Sequence, residues 1–122
     1  MSKIIVAGGR DFNRPELLED TLDRLFGADQ VEGICEIVCG EAKGADALGR
    51  DLAESYGIPV ASFPAAWKDQ GRNAGYIRNT AMAEYADVLV AFWDGSSKGT
   101  KHMIDIALAK RIEVHVVFYG EK

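Results

Sequence analysis

Three short clusters of glycine, charged and hydroxyl residues each follow an apolar run that has the composition of a buried β-strand. Glycines let backbone amides approach an anion closely, and a helix that begins beside them adds free N–H groups and the positive end of its dipole. Such loops are typical of phosphate- and ribose-binding sites. The clusters are Gly8, Gly9, Arg10 and Asp11; Gly40, Glu41, Lys43, Gly44, Ala45 and Asp46; and Asp94, Gly95, Ser96, Ser97, Lys98, Gly99 and Thr100.

Each cluster taken alone has a structural alternative, because glycines after a strand often form tight turns. The run Gly8-Gly9-Arg10 is not a GxGxxG motif, and the run 95–100 is not a P-loop, whose lysine stands next to the final Ser or Thr. The convergence of all three clusters on one edge of a sheet is the stronger signal. It favours a binding edge over three unrelated turns.

The spacing of apolar residues predicts five strands that alternate with four helices. Pro15 suits the first turn of the first helix, and Gly57 suits the end of the second. The stretch 64–75 has no periodicity and is predicted to be a long loop. The predicted strands are 4–7, 34–39, 60–63, 88–92 and 113–118, and the predicted helices are 15–26, 44–56, 76–85 and 100–110.

This alternation predicts a single Rossmann-like α/β domain over residues 1–122, a five-stranded, mostly parallel sheet with helices on both faces. In such sheets ligands bind beyond the carboxyl ends of the strands, near the point where strand order reverses. All three clusters lie at that edge. The predicted domain therefore positions them as one site.

Arg78 and Asn79 are further candidates, predicted in the first turn of their helix. An arginine there opposes the helix dipole, so an anionic partner is expected. That partner is either a ligand or, in the alternative interpretation, a carboxylate such as Glu84. We expect the anion site to combine Arg78 with the turn 95–100. Trp67 and Trp93 could stack on a base or belong to the core.

Composition narrows the class of protein. The chain has 122 residues, 48% of them apolar and 27% charged, which is typical of one globular domain. A net charge of -5 argues against broad binding to nucleic acid. No run has the length of a signal peptide or a membrane span, so we expect a cytoplasmic protein without membrane contact. Cys35 and Cys39 are too far apart along a strand for a disulfide; we expect buried thiols, no metal and no cofactor.

Four separated motifs resemble a known family. They are GGRDF (8–12), GEAKGAD (40–46), FPAAW…GRNAGYIRNTAM (63–82) and ADVLVAFWDGSSKGTKHMI (86–104). They resemble the YspA/YpsA-related branch of the SLOG superfamily, which is similar to Rossmann folds and includes the LOG phosphoribohydrolases and the DNA-processing protein DprA. The resemblance implies a ligand that is a nucleotide, a nucleotide sugar or an NAD-derived signal. It also implies a possible homodimer.

One departure from the LOG pattern bears on catalysis. The LOG motif PGGxGTxxE ends in a catalytic glutamate, and aligning Gly99-Thr100 with its GT places Met103 at that position. A thioether is neither an acid nor a base. The first hypothesis is therefore a module that senses or sequesters a nucleotide-derived ligand. The second is an N-glycosidase or hydrolase whose catalytic carboxylates are Asp11 and Glu41. Asp46 is either a third such carboxylate or a residue that caps or stabilises the first turn of its helix. A DNA-handling role does not fit the acidic charge.

Overall fold

The computed structural model of the protein describes residues 2–27, 33–40, 43–65 and 71–120, apart from the side chain of Arg72. Within these residues five strands alternate with four helices, as the sequence predicts. The strands are β1 (Ser2–Gly8), β2 (Ile34–Cys39), β3 (Val60–Ser62), β4 (Val88–Trp93) and β5 (Glu113–Phe118). The helices are α1 (Pro15–Phe26), α2 (Ala45–Tyr56), α3 (Ala74–Tyr85) and α4 (Lys98–Ala109).

All five strands pair in parallel in one sheet, in the order β3-β2-β1-β4-β5. Strand β1 is central, with β2 on one side and β4 on the other. Its register with β4 matches Val6 with Val90 and Gly8 with Phe92, so the two strands end side by side. Strand order reverses between β1 and β4. In an open α/β sheet this is the place where a ligand crevice forms.

The helices form two layers, one on each face of the sheet. Alternate side chains of β1 enter different cores: Ile4 packs on the face of α1 and α2, and Ile5 on the face of α3 and α4. Leu22 of α1 is fully buried in the first core, and Ala107 of α4 in the second. Because both faces of the central strands are covered, β1 and β4 are nearly continuous apolar runs. The fold class is a Rossmann-like α/β domain.

Two helix ends form where the sequence predicts them. Helix α1 begins at Pro15, and Gly57 ends α2 in the left-handed conformation with φ 70°. There the N–H of Gly57 donates to the carbonyl of Ala53. Each helix has 12 residues, and none in the described ranges is long and apolar enough to cross a membrane.

The prediction of a loop over residues 64–75 is wrong for the last part of that range. A 3-10 turn at Gly71–Asn73 leads into α3, which begins at Ala74 rather than at residue 76. Ala74 is fully buried, so packing offsets the low helix propensity of the glycine that follows it. Arg78 is consequently the fifth residue of α3 and lies beyond its first turn. The helix dipole therefore opposes the charge of Arg78 only weakly and does not by itself call for an anionic partner.

Candidate functional site

A cavity of about 550 Å³ opens at the carboxyl edge of the sheet, at the ends of β1 and β4. Small-molecule sites typically have volumes of about 300–1,000 Å³. We call this cavity the cleft. The cleft is lined by Ala7, Gly8, Gly9, Arg10, Asp11, Asp46, Gly75, Tyr76, Arg78, Asn79, Met82, Asp94, Ser97, Gly99, Thr100 and Met103.

The loop after β1 brings a carboxylate to the cleft and fixes its position. The hydroxyl of Tyr119, just beyond β5, donates to Asp11 Oδ1 at 2.5 Å. The Tyr119 ring packs edge-on against Phe12, with centroids 4.9 Å apart. Burial, and then the hydrogen bond to Asp11, raise the pKa of Tyr119, so its hydroxyl remains a donor. Asp11 is therefore held through one oxygen, while Oδ2 has no protein partner within the described ranges.

Gly9, Gly40 and Gly44 make room for other parts of the protein. A side chain at Gly9 would collide with the Tyr119 hydroxyl, and one at Gly40 with the Arg78 guanidinium. Gly44 has φ +75°, and its Cβ would lie 2.7 Å from the Arg10 carbonyl oxygen. The sequence predicted that these glycines admit a ligand. The contacts show that they bring the loops after β1 and β2 together and seat Arg78.

Gly8 and Gly9 themselves line the cleft, whereas Gly40 and Gly44 do not. Gly8 is also packed from behind, since its Cβ would lie 2.9 Å from Ala45 Cβ. Helix α2 can therefore approach β1 closely at this point. The backbone that faces the cleft is thereby held from its other side.

Helix α3 brings Arg78 and Asn79 to the cleft. Arg78 Nε donates to Asn79 Oδ1 at 3.0 Å, and its Nη1 lies 3.5 Å from the Phe63 carbonyl oxygen. Asp46 lies close to the guanidinium, since a Cβ placed at Gly40 would collide with Arg78 Nη1 and lie 3.0 Å from Asp46 Oδ2. The alternative salt bridge to Glu84 does not form, because Glu84 pairs with Lys110 at 2.9 Å.

Asn79 links α3 to α4 through its buried amide. Its Nδ2 lies 3.4 Å from the Gly99 carbonyl oxygen and 3.2 Å from His102 Nδ1. Because Arg78 Nε can only donate, Asn79 must present its oxygen there and its NH2 group to His102. His102 Nδ1 is therefore the unprotonated acceptor. Burial also lowers the pKa of His102, although Asp105 acts in the opposite direction.

The turn after β4 is organised by a carboxylate of the protein itself. Asp94 Oδ1 accepts from the amides of Ser96 and Ser97, each at 2.8 Å, and these bonds lower the pKa of Asp94. Ser97 caps α4 by accepting from the Thr100 amide, and the two hydroxyls lie 3.1 Å apart. The amides of Lys98 and Gly99 have no acceptor within the described ranges.

The predicted residues of this turn divide accordingly. Ser97, Gly99 and Thr100 line the cleft, whereas Gly95 and Ser96 do not. Gly95 has φ +89°, which lets the chain turn towards α4. The amides that an anion could reach are therefore those of the first turn of α4, and not those of Ser96 and Ser97.

The remaining carboxylate candidates have different outcomes. Asp46 is only 6% exposed and lines the cleft; it is the second residue of α2, after the N-cap Gly44, so it lies in the first turn of the helix and is not its cap. Glu41 lies outside the described residues. Met103, at the position of the LOG glutamate, is buried and lines the cleft. Asp105, the carboxylate nearest to Met103 along the chain, does not line the cleft and pairs with Lys101 at 2.9 Å.

Of the two tryptophans, Trp67 lies outside the described residues. Trp93 does not line the cleft, and its indole N–H donates to the Ser97 carbonyl at 3.1 Å. Trp93 therefore anchors the turn after β4. The cleft instead contains Tyr76, which was not among the residues predicted from the sequence. Its position two residues before Arg78, in a motif already considered, was the available signal.

The cysteines and the carboxylates do not form a metal site in the part of the chain that the structure describes, since no group of three or more suitable side chains exists there. Both cysteines are free thiols. Cys39 is buried as predicted, but Cys35 is partly exposed, because it lies in the first half of β2, where Glu36 is partly exposed as well. Neither lines the cleft.

The fold and the cleft define a Rossmann-like α/β protein with a small-molecule-sized crevice at its switch point. The family described as YAcAr: YspA, cpYpsA-related SLOG family matches residues 2–69, more than half of the chain. The chain belongs to this family, which suggests a nucleotide-related function. The match includes the loops after β1 and β2. No curated protein and no solved structure matches the chain.

Proposed function

We propose that this protein binds a nucleotide or nucleotide-derived ligand in the cleft, as a sensing or sequestering module. The ligand is a nucleoside phosphate or a molecule of the NAD or ADP-ribose type. The observation that carries the proposal is the coincidence of a cavity of about 550 Å³ with the switch point between β1 and β4. Membership of the SLOG family supports the same ligand class.

The anionic part of the ligand fits the wall formed by α3 and α4. Arg78 lines this wall and is oriented by Asn79 on one side, so its guanidinium is partly ordered before any ligand arrives. The first turn of α4 adds the amides of Lys98 and Gly99 at the positive end of the helix dipole. Guanidinium and helix amides together recognise a phosphate group.

The sugar part fits the carboxylates at the ends of β1 and β4. Asp11, with Oδ2 available, and Asp94 both line the cleft, at the ends of β1 and β4. Carboxylates accept hydrogen bonds from hydroxyls, and they repel a second phosphate at close range. The presence of both carboxylates and a guanidinium favours a ligand that carries hydroxyls as well as phosphate. A phosphorylated ribose has this pattern.

The test is a thermal-shift screen with AMP, other nucleoside monophosphates, NAD, ADP-ribose and cyclic derivatives, followed by calorimetry on any ligand that stabilises the protein. Arg78→Gln should weaken a phosphorylated ligand about 10- to 100-fold, because a hydrogen bond to a charged group contributes about 1.5–3 kcal/mol. Arg24→Gln, at an exposed site on α1, is the matched control and should leave affinity unchanged. Stabilisation by none of these compounds would overturn the proposal.

A second candidate function is hydrolysis of the ligand's N-glycosidic bond. The observation that favours it is the presence of Asp11, Asp46 and Asp94 in one cleft. Such cleavage requires stabilisation of an oxocarbenium-like transition state and an activated water, both of which carboxylates can provide. Met103 can do neither, so the reaction would differ from that of LOG enzymes.

Chromatography distinguishes the two candidates. AMP incubated with the protein should remain intact if the module only binds it. Free adenine with ribose 5-phosphate would favour the hydrolase. If turnover occurs, its loss in Asp11→Asn or Glu41→Gln would assign the carboxylate that carries it.

A further inference from the structure

Tyr76 stands out among the residues that line the cleft, because it supplies the one aromatic ring there within the described ranges. Its side chain is 46% exposed, although large aromatic side chains usually gain stability by burial. The hydroxyl has no hydrogen-bond partner among the described residues. An exposed ring at the wall of a crevice is therefore available to a ligand.

The ring is supported from one side. His102 of α4 packs against Tyr76 with ring centroids 4.3 Å apart and an angle of 33° between the planes. His102 is itself held by the amide of Asn79, which also orients Arg78. Tyr76 and Asn79 are three residues apart and so lie on the same face of α3. One network therefore holds both the aromatic ring and the guanidinium.

Other aromatic side chains near this edge are occupied differently. Tyr119 packs against Phe12 and uses its hydroxyl on Asp11. Trp93 lies outside the cleft and packs near Phe118. Neither lines the cleft, whereas Tyr76 does.

We infer that Tyr76 is the platform on which the planar base of the ligand stacks, so that the cleft selects base-bearing nucleotides over the corresponding sugar phosphates. The inference rests on the proposed function and adds a specificity-determining residue to it. The phosphate binds beside Arg78 and the start of α4, and the base covers the face of Tyr76 that His102 leaves open. Gly75, which precedes Tyr76 and also lines the cleft, has no side chain to obstruct this approach.

The test compares AMP with ribose 5-phosphate by calorimetry in wild-type protein, Tyr76→Ala, Tyr76→Phe and Ile77→Ala. Stacking on an aromatic side chain, measured by alanine substitution, corresponds to a change in affinity of about 5- to 150-fold. Tyr76→Ala should weaken AMP by that factor and leave ribose 5-phosphate within about twofold. Tyr76→Phe, which keeps the ring, should retain AMP affinity. Ile77→Ala changes a neighbour of nearly equal exposure (45%) outside the cleft and should affect neither ligand.

A second measurement does not depend on the folding of a variant. Proton NMR of AMP added to wild-type protein should show upfield shifts of the base protons. Equal loss of both ligands in Tyr76→Ala, or no loss of AMP and no upfield shift, would overturn the role of Tyr76 while leaving the cleft as the binding site. Wild-type protein that binds neither AMP nor ribose 5-phosphate would overturn this inference together with nucleoside monophosphates as ligands.

Discussion

Asn79→Leu should destabilise the protein and weaken the anion site at the same time. The amide is 5% exposed and contacts Arg78 Nε at 3.0 Å, His102 Nδ1 at 3.2 Å and the Gly99 carbonyl oxygen at 3.4 Å. Leucine has a similar volume but leaves all three groups without their partner. A hydrogen bond to a charged donor contributes about 1.5–3 kcal/mol, and a neutral one about 0.5–1.5 kcal/mol.

The two neutral contacts are long, so each should contribute near the lower end of its range. We therefore expect Asn79→Leu to lower the free energy of unfolding by about 2–4 kcal/mol. Urea denaturation followed by circular dichroism measures this change. Asn73→Ala, an exposed asparagine at the start of the same helix whose side chain caps nothing, is the control and should change stability by less than about 0.5 kcal/mol.

Measurements on Asn79→Leu also show whether Asn79 positions Arg78 for the ligand or only stabilises the fold. If Asn79 orients Arg78, affinity for AMP should fall under conditions in which the variant is fully folded. A loss of stability no larger than that of Asn73→Ala would refute the hydrogen-bond argument. Unchanged AMP affinity in a folded but destabilised variant would refute the positioning role of Asn79.

Three further predictions follow from individual contacts. Thr100→Val removes the hydroxyl that contacts Ser97 in the cleft. Calorimetry should therefore show phosphorylated ligands binding about 10- to 100-fold more weakly, with an unchanged circular dichroism spectrum. Unchanged affinity would exclude Thr100 from the anion site. Gly44→Val imposes a β-branched residue at φ +75° against the Gly9 carbonyl. Thermal melting of the ligand-free protein should therefore show that the free energy of unfolding falls by about 1–3 kcal/mol or more. An unaltered melting temperature would contradict the packing described for this loop. The pKa of His102 in the folded protein is lowered from 6.5, so the unfolded chain binds more protons than the folded protein as the pH falls through 6.5. The free energy of unfolding should therefore decrease in this pH range. Urea titrations should show that this decrease is missing in His102→Gln.

The sequence predicted the position of a strand or helix best where that element's own residues carry a distinct pattern. The apolar run of β4 and the periodicity of α1 gave their positions to within a residue, because parallel strands buried on both faces and amphipathic helices have distinct patterns. The polar loops that must follow those strands could then be assigned to one edge. This much of the cleft is a consequence of topology.

The contacts that complete the cleft could not be predicted in this way. Tyr119 and Asp11 are 108 positions apart, and no local pattern reports that they are paired. The start of α3 was misplaced because Gly71 and Gly75 favour a loop, while the burial of Ala74 depends on the rest of the fold. Asp94 was selected as part of a ligand loop, but its carboxylate serves the amides of that loop. Side-chain partners that are brought together only by the tertiary structure cannot be predicted from the spacing of residues along the chain.

The most direct test of the central claim is a two-dimensional ¹H–¹⁵N NMR titration of the protein with AMP or with whichever nucleotide the thermal-shift screen selects. If the cleft is the binding site, the largest shifts should fall on the amides of Gly9 and Arg10 after β1 and of Gly99 and Thr100 at the start of α4. Shifts that cluster elsewhere, for example along the exposed edge strand β5, with these four amides unchanged, would contradict the assignment of the cleft as the nucleotide site.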